Sequence, residues 1–195
     1  VDEETGMTGA NGLKPGFLSG DILLNLDSED EGEICIGCAG GADFKARSTY
    51  TEAAVPKGWV ALSVDVGGLK GGHSGVDIHL GRANASKVLA RVLYECLGEV
   101  ALRVVRFQGG DLRNAIPRSA SAVIVVPAKA ADAVVARIAG LAQQIRNEYA
   151  PADPDIRITT TKTKAATRAM SRALTKKLLS TLYASPHGVF AMVRD

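Results

Sequence analysis

The sequence has few aromatic residues and no long hydrophobic run. Aromatic residues make up 5% of the 195-residue chain, so a dominant base-stacking surface of the kind that RNA-binding sheets use is not expected. No apolar run approaches the roughly 20 residues that a membrane-spanning helix needs, and no signal-peptide pattern opens the chain. The composition therefore indicates a globular protein, gives no support for a membrane span or for secretion, and favours a cytoplasmic location.

Cysteine is also scarce. Cys35 and Cys38 form a Cys-Ile-Gly-Cys pair, and Cys96 stands alone. A zinc ribbon needs a second pair, and a redox dithiol is expected near a strand-to-helix turn with few acids around it. We therefore interpret all three cysteines as ordinary small buried residues in a reduced compartment.

Positive and negative charges are divided unevenly along the chain. Residues 1–33 hold nine acidic residues and one basic residue, whereas the remainder holds twelve acidic and 22 basic residues. An acidic opening favours cations, while a basic remainder suits an anionic substrate group, a nucleic acid or simply a solvated surface. The two parts are predicted to have different electrostatic roles.

The chain is predicted to divide near residue 40. Residues 1–40 combine turn-forming glycines and prolines with an apolar run at 22–24, which predicts a strand covered on both faces, as in a parallel sheet. Glycines at positions 37, 40 and 41 then mark a domain junction, after which the pattern changes. We expect residues 1–40 to be a piece of one domain and residues 41–195 to form another.

A regular order of strands and helices is predicted from about residue 59 onward. Strands alternate apolar and polar residues, as at Val60, Leu62 and Val64, and helices place apolar residues at spacings of three and four. The order is that of a ferredoxin-like β-α-β-β-α-β sandwich, an α+β fold whose helices cover one sheet face. The predicted elements are strand 59–66, helix 84–97, strands 101–107 and 120–126, helix 128–149 and strand 155–161.

A last helix is predicted over residues 162–184. It is rich in Lys and Arg and carries Met170, Leu174 and Leu178 on one side. A basic amphipathic helix can bind nucleic acid or membrane, but it is more often a solvated helix that docks through its apolar side. We expect docking. The alternative is a non-catalytic ferredoxin-like module that binds nucleic acid or a protein partner.

Carboxylates at the start of the chain suit metal binding. Asp2, Glu3 and Glu4 are consecutive, and Asp27 closes the apolar run, where open α/β folds place their ligands. A dinuclear zinc site needs oxygen and imidazole ligands, an open position for water and a nearby base. Adjacent Glu3 and Glu4 would diverge on an extended turn, so one could bind a metal while the other faces the water. The surplus acids at 29–33 leave a plain acidic loop as the alternative.

Five longer motifs are spread along the sequence: VDEETGM at 1–7, NLDSEDEGE at 25–33, GCAGG at 37–41, LKGGHSG at 69–75 and GGDLRNAIPR at 109–118. In this order they resemble motifs of the aminoacyl-histidine (Xaa-His) dipeptidases, relatives of carnosinase in the aminoacylase and carboxypeptidase-G group of dizinc peptidases. The resemblance covers nearly the whole chain, which makes it far more specific than a Glu-Glu pair. It implies that residues 1–40 are a fragment of a zinc-peptidase α/β catalytic domain and that 41–195 are a lid and dimerisation domain, truncated at its end.

The resemblance implies individual roles for the carboxylates. Glu3 would be the general base that takes a proton from a metal-bridging water and later delivers it to the leaving amine. Glu4 would bind one of two zinc ions and Asp27 the other. In the family, three further metal ligands complete the site. A His and a bridging Asp come from a segment that would precede residue 1, and a second His comes from a segment that would follow residue 195. We therefore expect the chain alone to lack a complete metal site and to be inactive.

The resemblance also implies roles for residues of the lid. His73 matches a lid histidine that steadies the tetrahedral oxyanion, commonly in the active site of the partner subunit. Asn114 matches an asparagine that helps to hold the substrate. Arg113 or Arg118 could meet a substrate carboxylate through a bidentate contact, although a polar surface loop is an equal alternative for them. The remaining histidines, which we take as structural or leave without a role, are His79 and His187.

The function that the resemblance implies is zinc-dependent hydrolysis of Xaa-His dipeptides such as carnosine in the intact enzyme. A homodimer formed through the lid domain is expected, and nucleic acid is not an expected partner. The first alternative is the non-catalytic interaction module. The second keeps the peptidase group but changes the substrate to other dipeptides or to N-acyl amino acids.

Overall fold

A computed structural model describes residues 6–24, 31–34 and 40–192 of the chain. The chain divides into two compact units, residues 1–49 and residues 50–195. All strands of the described residues, and all but one of their helices, belong to the second unit. Within the described ranges, no helix is both long enough and apolar enough to cross a membrane.

The described part of the first unit contains little regular structure. Its helix is a single turn, α1 (Thr8–Asn11). The prediction of a buried strand at residues 22–24 is wrong, because these residues form no strand and are 79% to 86% exposed. A strand buried in a parallel sheet needs hydrogen-bonded neighbours and an apolar layer on each face. The described residues provide neither at this point.

The second unit contains eight strands and three α-helices among its described residues. Short 3₁₀ turns occur at Ile78–Leu80 and Ala128–Ala130. In chain order the elements are β1 (Ala53–Ala54), β2 (Trp59–Gly67), β3 (Gly72–His73), α2 (Ala85–Leu97), β4 (Arg103–Gly109), β5 (Ala115–Ile116), β6 (Ala120–Pro127), α3 (Ala131–Tyr149), β7 (Arg157–Lys162), β8 (Arg168–Ala169) and α4 (Arg172–Ala184).

The four long strands form one sheet in the order β4-β6-β2-β7, and every neighbouring pair is antiparallel. β2 is central, so that Val64 lies opposite Ala122 of β6 and opposite Thr160 of β7. Helix α2 connects β2 to β4, and helix α3 connects β6 to β7. The predicted ferredoxin-like β-α-β-β-α-β order is therefore confirmed.

The main core lies between the sheet and helices α2 and α3. Leu62, Val64 and Val66 of β2 are at most 2% exposed, and they alternate with less buried residues because successive side chains of a strand point to opposite faces. The helices bury residues spaced by three and four, as an amphipathic helix does. These residues are Val88, Leu89, Val92, Leu93 and Cys96 of α2 and Val134, Ile138, Leu141 and Ile145 of α3.

Cys96 confirms the interpretation of a cysteine as a small core residue. It is 1% exposed and lies in the main core. Burial raises the pKa of its thiol to about 11, so the thiol stays protonated and unreactive at neutral pH. Cys35 and Cys38 lie outside the described residues.

The opposite face of the sheet is partly covered by a two-stranded ladder. β1 pairs antiparallel with β8, and Ala169 of β8 lies in a small apolar cluster on this face. The buried Arg103 of β4 holds the ladder, because its guanidinium donates to the carbonyl oxygens of Ala53, Ala54, Ala169 and Met170 at 2.7–3.1 Å. A buried charge is costly unless its donors are paired, and these carbonyls provide the pairing.

Helix α4 begins at Arg172, so the prediction of a helix from residue 162 is wrong. Lys162 is the last residue of β7, where it lies opposite Leu62. The threonines at 159–161 are β-branched and favour a strand, and pairing with β2 extends that strand through Lys162. The helix then begins after Ser171, whose hydroxyl accepts from the backbone N–H of Leu174 at 3.2 Å.

Helix α4 docks on α2 through its apolar side, as predicted. Leu179 is fully buried in the main core. The rings of Tyr94 and Tyr183 stack with their centroids 4.5 Å apart. Lys87 of α2 donates to backbone carbonyl oxygens at the end of α4, where a cation also complements the helix dipole. Burial lowers the pKa of this lysine.

Candidate functional site

Two of the sequence motifs meet at a short ladder outside the main sheet. β3 and β5 pair antiparallel, with His73 opposite Ala115. Beyond this pair, the Ser74 N–H donates to the carbonyl oxygen of Asn114 at 2.7 Å. His73 is exposed and Asn114 is partly buried. The ladder thus holds the backbones of the two residues side by side, while the role of each side chain stays a prediction.

The ring of His73 is oriented by its own loop. Its Nδ1 atom lies 3.1 Å from the backbone nitrogen of Gly75 and 3.1 Å from that of Val76, and both N–H groups donate to it. Because Nδ1 acts as an acceptor, the proton of the neutral ring resides on Nε2. The loop therefore presents Nε2–H as a hydrogen-bond donor on an exposed ring.

Polar contacts support the segment of residues 70–83, which we call the His73 loop. The Asp77 carboxylate accepts from the His73 N–H at 2.8 Å and lies 3.5 Å from the Arg82 guanidinium. Arg82 also donates to the carbonyl oxygen of Gly71 at 2.7 Å. Gly72 has a φ of +146°, and a Cβ there would come within 2.6 Å of both the Arg82 and the Asp77 side chains. Only glycine fits this position.

Arg118 lines a basic cleft that neither His73 nor Asn114 lines. The cleft has a volume of about 710 Å³ and contains one carboxylate, that of Asp155, among its described lining residues. Its other charged residues are Lys70, Arg146 and Arg157. The excess of positive charge would attract an anionic group. Arg113 is instead exposed on the turn before β5, directly next to Asn114.

The two remaining histidines occupy different surroundings. His79 is exposed in the 3₁₀ turn of the His73 loop. The Nδ1 atom of His187 lies 3.3 Å from the side-chain nitrogen of Asn84, the residue that caps α2. Burial lowers the pKa of His187. His187 thus joins the segment after α4 to the start of α2, a contact that no sequence pattern predicted.

Three polar residues that support the His73 loop have no distinctive pattern in the sequence. Asp77 and Arg82 lie within it. Asp153 lies far away in sequence, yet its fully buried carboxylate accepts from the backbone N–H groups of Lys70 and Ala83. The one signal in the sequence is an acidic residue between two prolines at a helix end, which is also common in solvated turns.

The carboxylates predicted to act with zinc, Glu3, Glu4 and Asp27, lie outside the described residues. Across residues 6–24, 31–34 and 40–192, no group of three His, Cys, Asp or Glu side chains could hold a metal ion. The described residues therefore supply no metal centre. The zinc site stays a prediction that rests on the resemblance.

Residues 65–153 match the family model described as the peptidase dimerisation domain. This stretch contains the β3–β5 ladder, helices α2 and α3, strands β4 and β6, and both Asp77 and Asp153. Strand β7 and most of β2 lie outside it.

Similarity to two relatives extends beyond residues 65–153 to nearly the whole chain. The cytosol non-specific dipeptidase of Escherichia coli (strain K12) is 43% identical over 192 residues, which are 97% of this chain and 39% of the relative. The crystal structure of aminoacylhistidine dipeptidase from Vibrio alginolyticus matches with a TM-score of 0.81 and 40% identity, covering 98% of this chain and 39% of that structure. The resemblance to the aminoacyl-histidine dipeptidases is confirmed, and the chain spans 39% of the length of each relative.

Proposed function

We propose that this chain is part of a dipeptidase in which the dimerisation domain serves as a lid over the active site. Both relatives that match almost the whole chain bear the name of a dipeptidase. The observation that carries the proposal is the His73 ring, whose Nδ1 accepts from two backbone N–H groups. An exposed histidine held in this way is suited to donate a hydrogen bond from Nε2.

His73 would act on the oxyanion of the reaction. Hydrolysis of a peptide bond passes through a tetrahedral species in which the former carbonyl oxygen carries negative charge. A donor that is already oriented stabilises this charge without reorganising during the reaction, and loss of one such donor costs roughly 10²–10³ in kcat. The two contacts to Nδ1 provide that orientation, so His73 is proposed to serve turnover rather than folding.

Asn114 and the arginines would bind the substrate. Asn114 accepts from the N–H of Ser74, the residue after His73, and the resemblance implies that its amide helps to hold the substrate. A dipeptide has a free carboxylate, which suits bidentate recognition by a guanidinium. Arg113 stands next to Asn114, and Arg118 lines the basic cleft. Either position would place a positive charge within the lid.

The carboxylates before residue 30 would belong to the catalytic domain. On the strength of the resemblance, Glu4 and Asp27 would each hold one of two zinc ions, and Glu3 would be the general base. Zinc, when bound, would lower the pKa of a water molecule and polarise a carbonyl group.

The proposed substrates are unblocked dipeptides, including Xaa-His dipeptides such as carnosine. The names of the two relatives differ on this point, since one is a non-specific dipeptidase and the other an aminoacylhistidine dipeptidase. N-acyl amino acids remain the alternative substrate class. The match to a dimerisation domain supports a homodimer, and the E. coli relative, named for the cytosol, supports a cytoplasmic location.

The proposal is tested by His73→Ala in the natural protein that carries this sequence, with His79→Ala as the matched control. His79 lies in the same loop and is also exposed. Initial rates would be measured with zinc on carnosine, a dipeptide without histidine and an N-acetyl amino acid. We expect His73→Ala to lower kcat by roughly 10²–10³ with a smaller change in KM, and His79→Ala to stay near wild type.

Two results would contradict the proposal. Equal kcat in His73→Ala and wild type would remove His73 from the mechanism. Hydrolysis of the N-acetyl amino acid without hydrolysis of either dipeptide would move the protein to the alternative substrate class.

A further inference from the structure

Asp153 is a fully buried carboxylate in the turn between α3 and β7. Its own backbone is fixed on both sides: its N–H donates to the carbonyl oxygen of Tyr149 at 2.7 Å, and its carbonyl oxygen accepts from Ile156 at 3.2 Å. Among the described residues, no cation forms an ion pair with it. A buried carboxylate without a cation is costly unless hydrogen bonds compensate it, so the partners of its oxygens explain its presence.

Both partners belong to the His73 loop. One carboxylate oxygen accepts from the backbone N–H of Lys70 at 2.7 Å, and the other accepts from the backbone N–H of Ala83 at 2.6 Å. Lys70 and Ala83 are the first and last residues of the loop, and they lie 83 and 70 residues away from Asp153 in the sequence. One side chain therefore joins the two ends of the loop to each other and to the end of α3.

Contacts continue from these two ends to His73. Next to Ala83, Arg82 donates to the carbonyl oxygen of Gly71, which follows Lys70. Arg82 also lies beside Asp77, and Asp77 accepts from the His73 N–H. Two side chains, those of Arg82 and Asp77, therefore link the loop ends to the His73 backbone, which also pairs with Ala115.

We propose that Asp153 is a positioning residue for His73, which fixes the two ends of the His73 loop and so the place of the imidazole. This inference rests on the proposed function, because it assumes that the place of His73 matters to turnover. Asp153 itself does not contact the substrate. A carboxylate is required because it accepts on both oxygens, whereas asparagine would point an N–H₂ donor at one of the two backbone N–H groups.

The test is Asp153→Asn in the natural protein, with Asp155→Asn as the control. Asp155 lies in the same turn but is exposed. Hydrogen exchange would be followed at the amides of residues 70–83 and at those of β2 and β6, which report on the fold. We expect Asp153→Asn to speed exchange at Lys70 and Ala83 by about 10- to 100-fold and to leave β2 and β6 protected. The control should match wild type in hydrogen exchange at all of these amides.

Activity separates a positioning role from a merely structural one. A misplaced catalytic group can cost up to about 100-fold in rate, so we expect Asp153→Asn to lower kcat by about 10- to 100-fold with less than a threefold change in KM. The same substitution made in the His73→Ala background should cost much less, because no donor remains to be misplaced. An equal loss of kcat in both backgrounds would overturn the inference.

Further outcomes keep this inference distinct from the proposed function. If His73→Ala lowers kcat while Asp153→Asn alters neither exchange at the loop ends nor kcat, the positioning role is overturned and the proposed function stands. If His73→Ala leaves kcat unchanged, the proposed function fails together with this role. Should Asp153→Asn not fold, Asp153→Glu keeps the charge but displaces it by one methylene. A kcat like that of wild type in Asp153→Glu would then overturn the inference.

Discussion

The sandwich and the His73 loop belong to one domain but are held together by different forces. In the sandwich, apolar side chains of the sheet and of the helices are almost completely buried, and burial of apolar area is non-directional. In the loop, most residues from 73 to 80 are exposed, and a few directional hydrogen bonds fix the backbone. Stability of the fold is therefore spread over many residues, whereas the place of His73 depends on few.

Leu89→Ala is expected to have the largest effect on folding. Leu89 is fully buried in the middle of α2, and loss of such a side chain leaves a cavity and costs about 2–5 kcal/mol of unfolding free energy. Urea denaturation followed by circular dichroism measures this value. Leu112→Ala is the control, because Leu112 is 69% exposed and its truncation should change stability by less than about 0.5 kcal/mol. If Leu89→Ala lowers the unfolding free energy as little as the control does, burial of apolar side chains in the core is not what stabilises the sandwich.

The same difference in forces explains what the sequence predicts well. Apolar periodicity reports burial directly, so the alternation at Val64 and the helical spacing at Val88 identify the strands and helices of the sandwich. The predicted start of α4 at residue 162 is wrong because the pairing of Lys162 with β2 is a tertiary contact. The predicted strand at residues 22–24 is wrong because an apolar run by itself does not supply the neighbours of a strand.

Local patterns predict the candidate site less completely than the fold. The motif around His73 can be recognised from the sequence. The pairing of His73 with Ala115 and the hydrogen bonds of Asp153 to the loop ends, however, join residues far apart in the sequence. No period of two or 3.6 residues encodes such contacts. The motif therefore indicates which side chain to examine, and only the fold shows what holds it.

Asp77→Ala tests whether hydrogen bonds fix the backbone of the His73 loop. It should lower the unfolding free energy less than Leu89→Ala does. The substitution removes the acceptor of the His73 N–H and the partner of Arg82. The Asp77 side chain is 30% exposed, so water can replace part of what is lost, and we expect about 1 kcal/mol or less of unfolding free energy. Exchange of the His73 amide should nevertheless rise by about tenfold.

The measurements for Asp77→Ala are urea denaturation and hydrogen exchange on the same sample. Asp111→Ala, at an exposed aspartate outside the loop, is the control and should change neither. A global destabilisation as large as that of Leu89→Ala would mean that the loop is an integral part of the folding core, and the contrast between the two regions would be lost.

Glu148→Gln is expected to have the smallest effect, because it alters a surface ion pair of the sandwich. Arg91 of α2 donates two hydrogen bonds to Glu148 of α3, at 2.5 and 2.7 Å. These bonds hold the pKa of Glu148 below its ordinary value of 4.5. The side chain of Glu148 is 46% exposed, and such pairs contribute only about 0.2–1 kcal/mol.

The pH dependence of Glu148→Gln has a definite sign. The pKa is lower in the folded than in the unfolded protein, so the stabilisation is present above pH 4.5 and is lost as the pH falls through the folded value. Wild type should thus exceed the variant in unfolding free energy at pH 7, and the two curves should converge as the pH falls through the folded pKa of Glu148. A difference that persists after Glu148 is protonated, or that 1 M salt leaves unchanged, would show that Glu148 acts through packing instead of charge. If the two curves converge, the Arg91–Glu148 ion pair adds only a small, charge-dependent stabilisation to the sandwich, whereas polar contacts fix the backbone of the His73 loop.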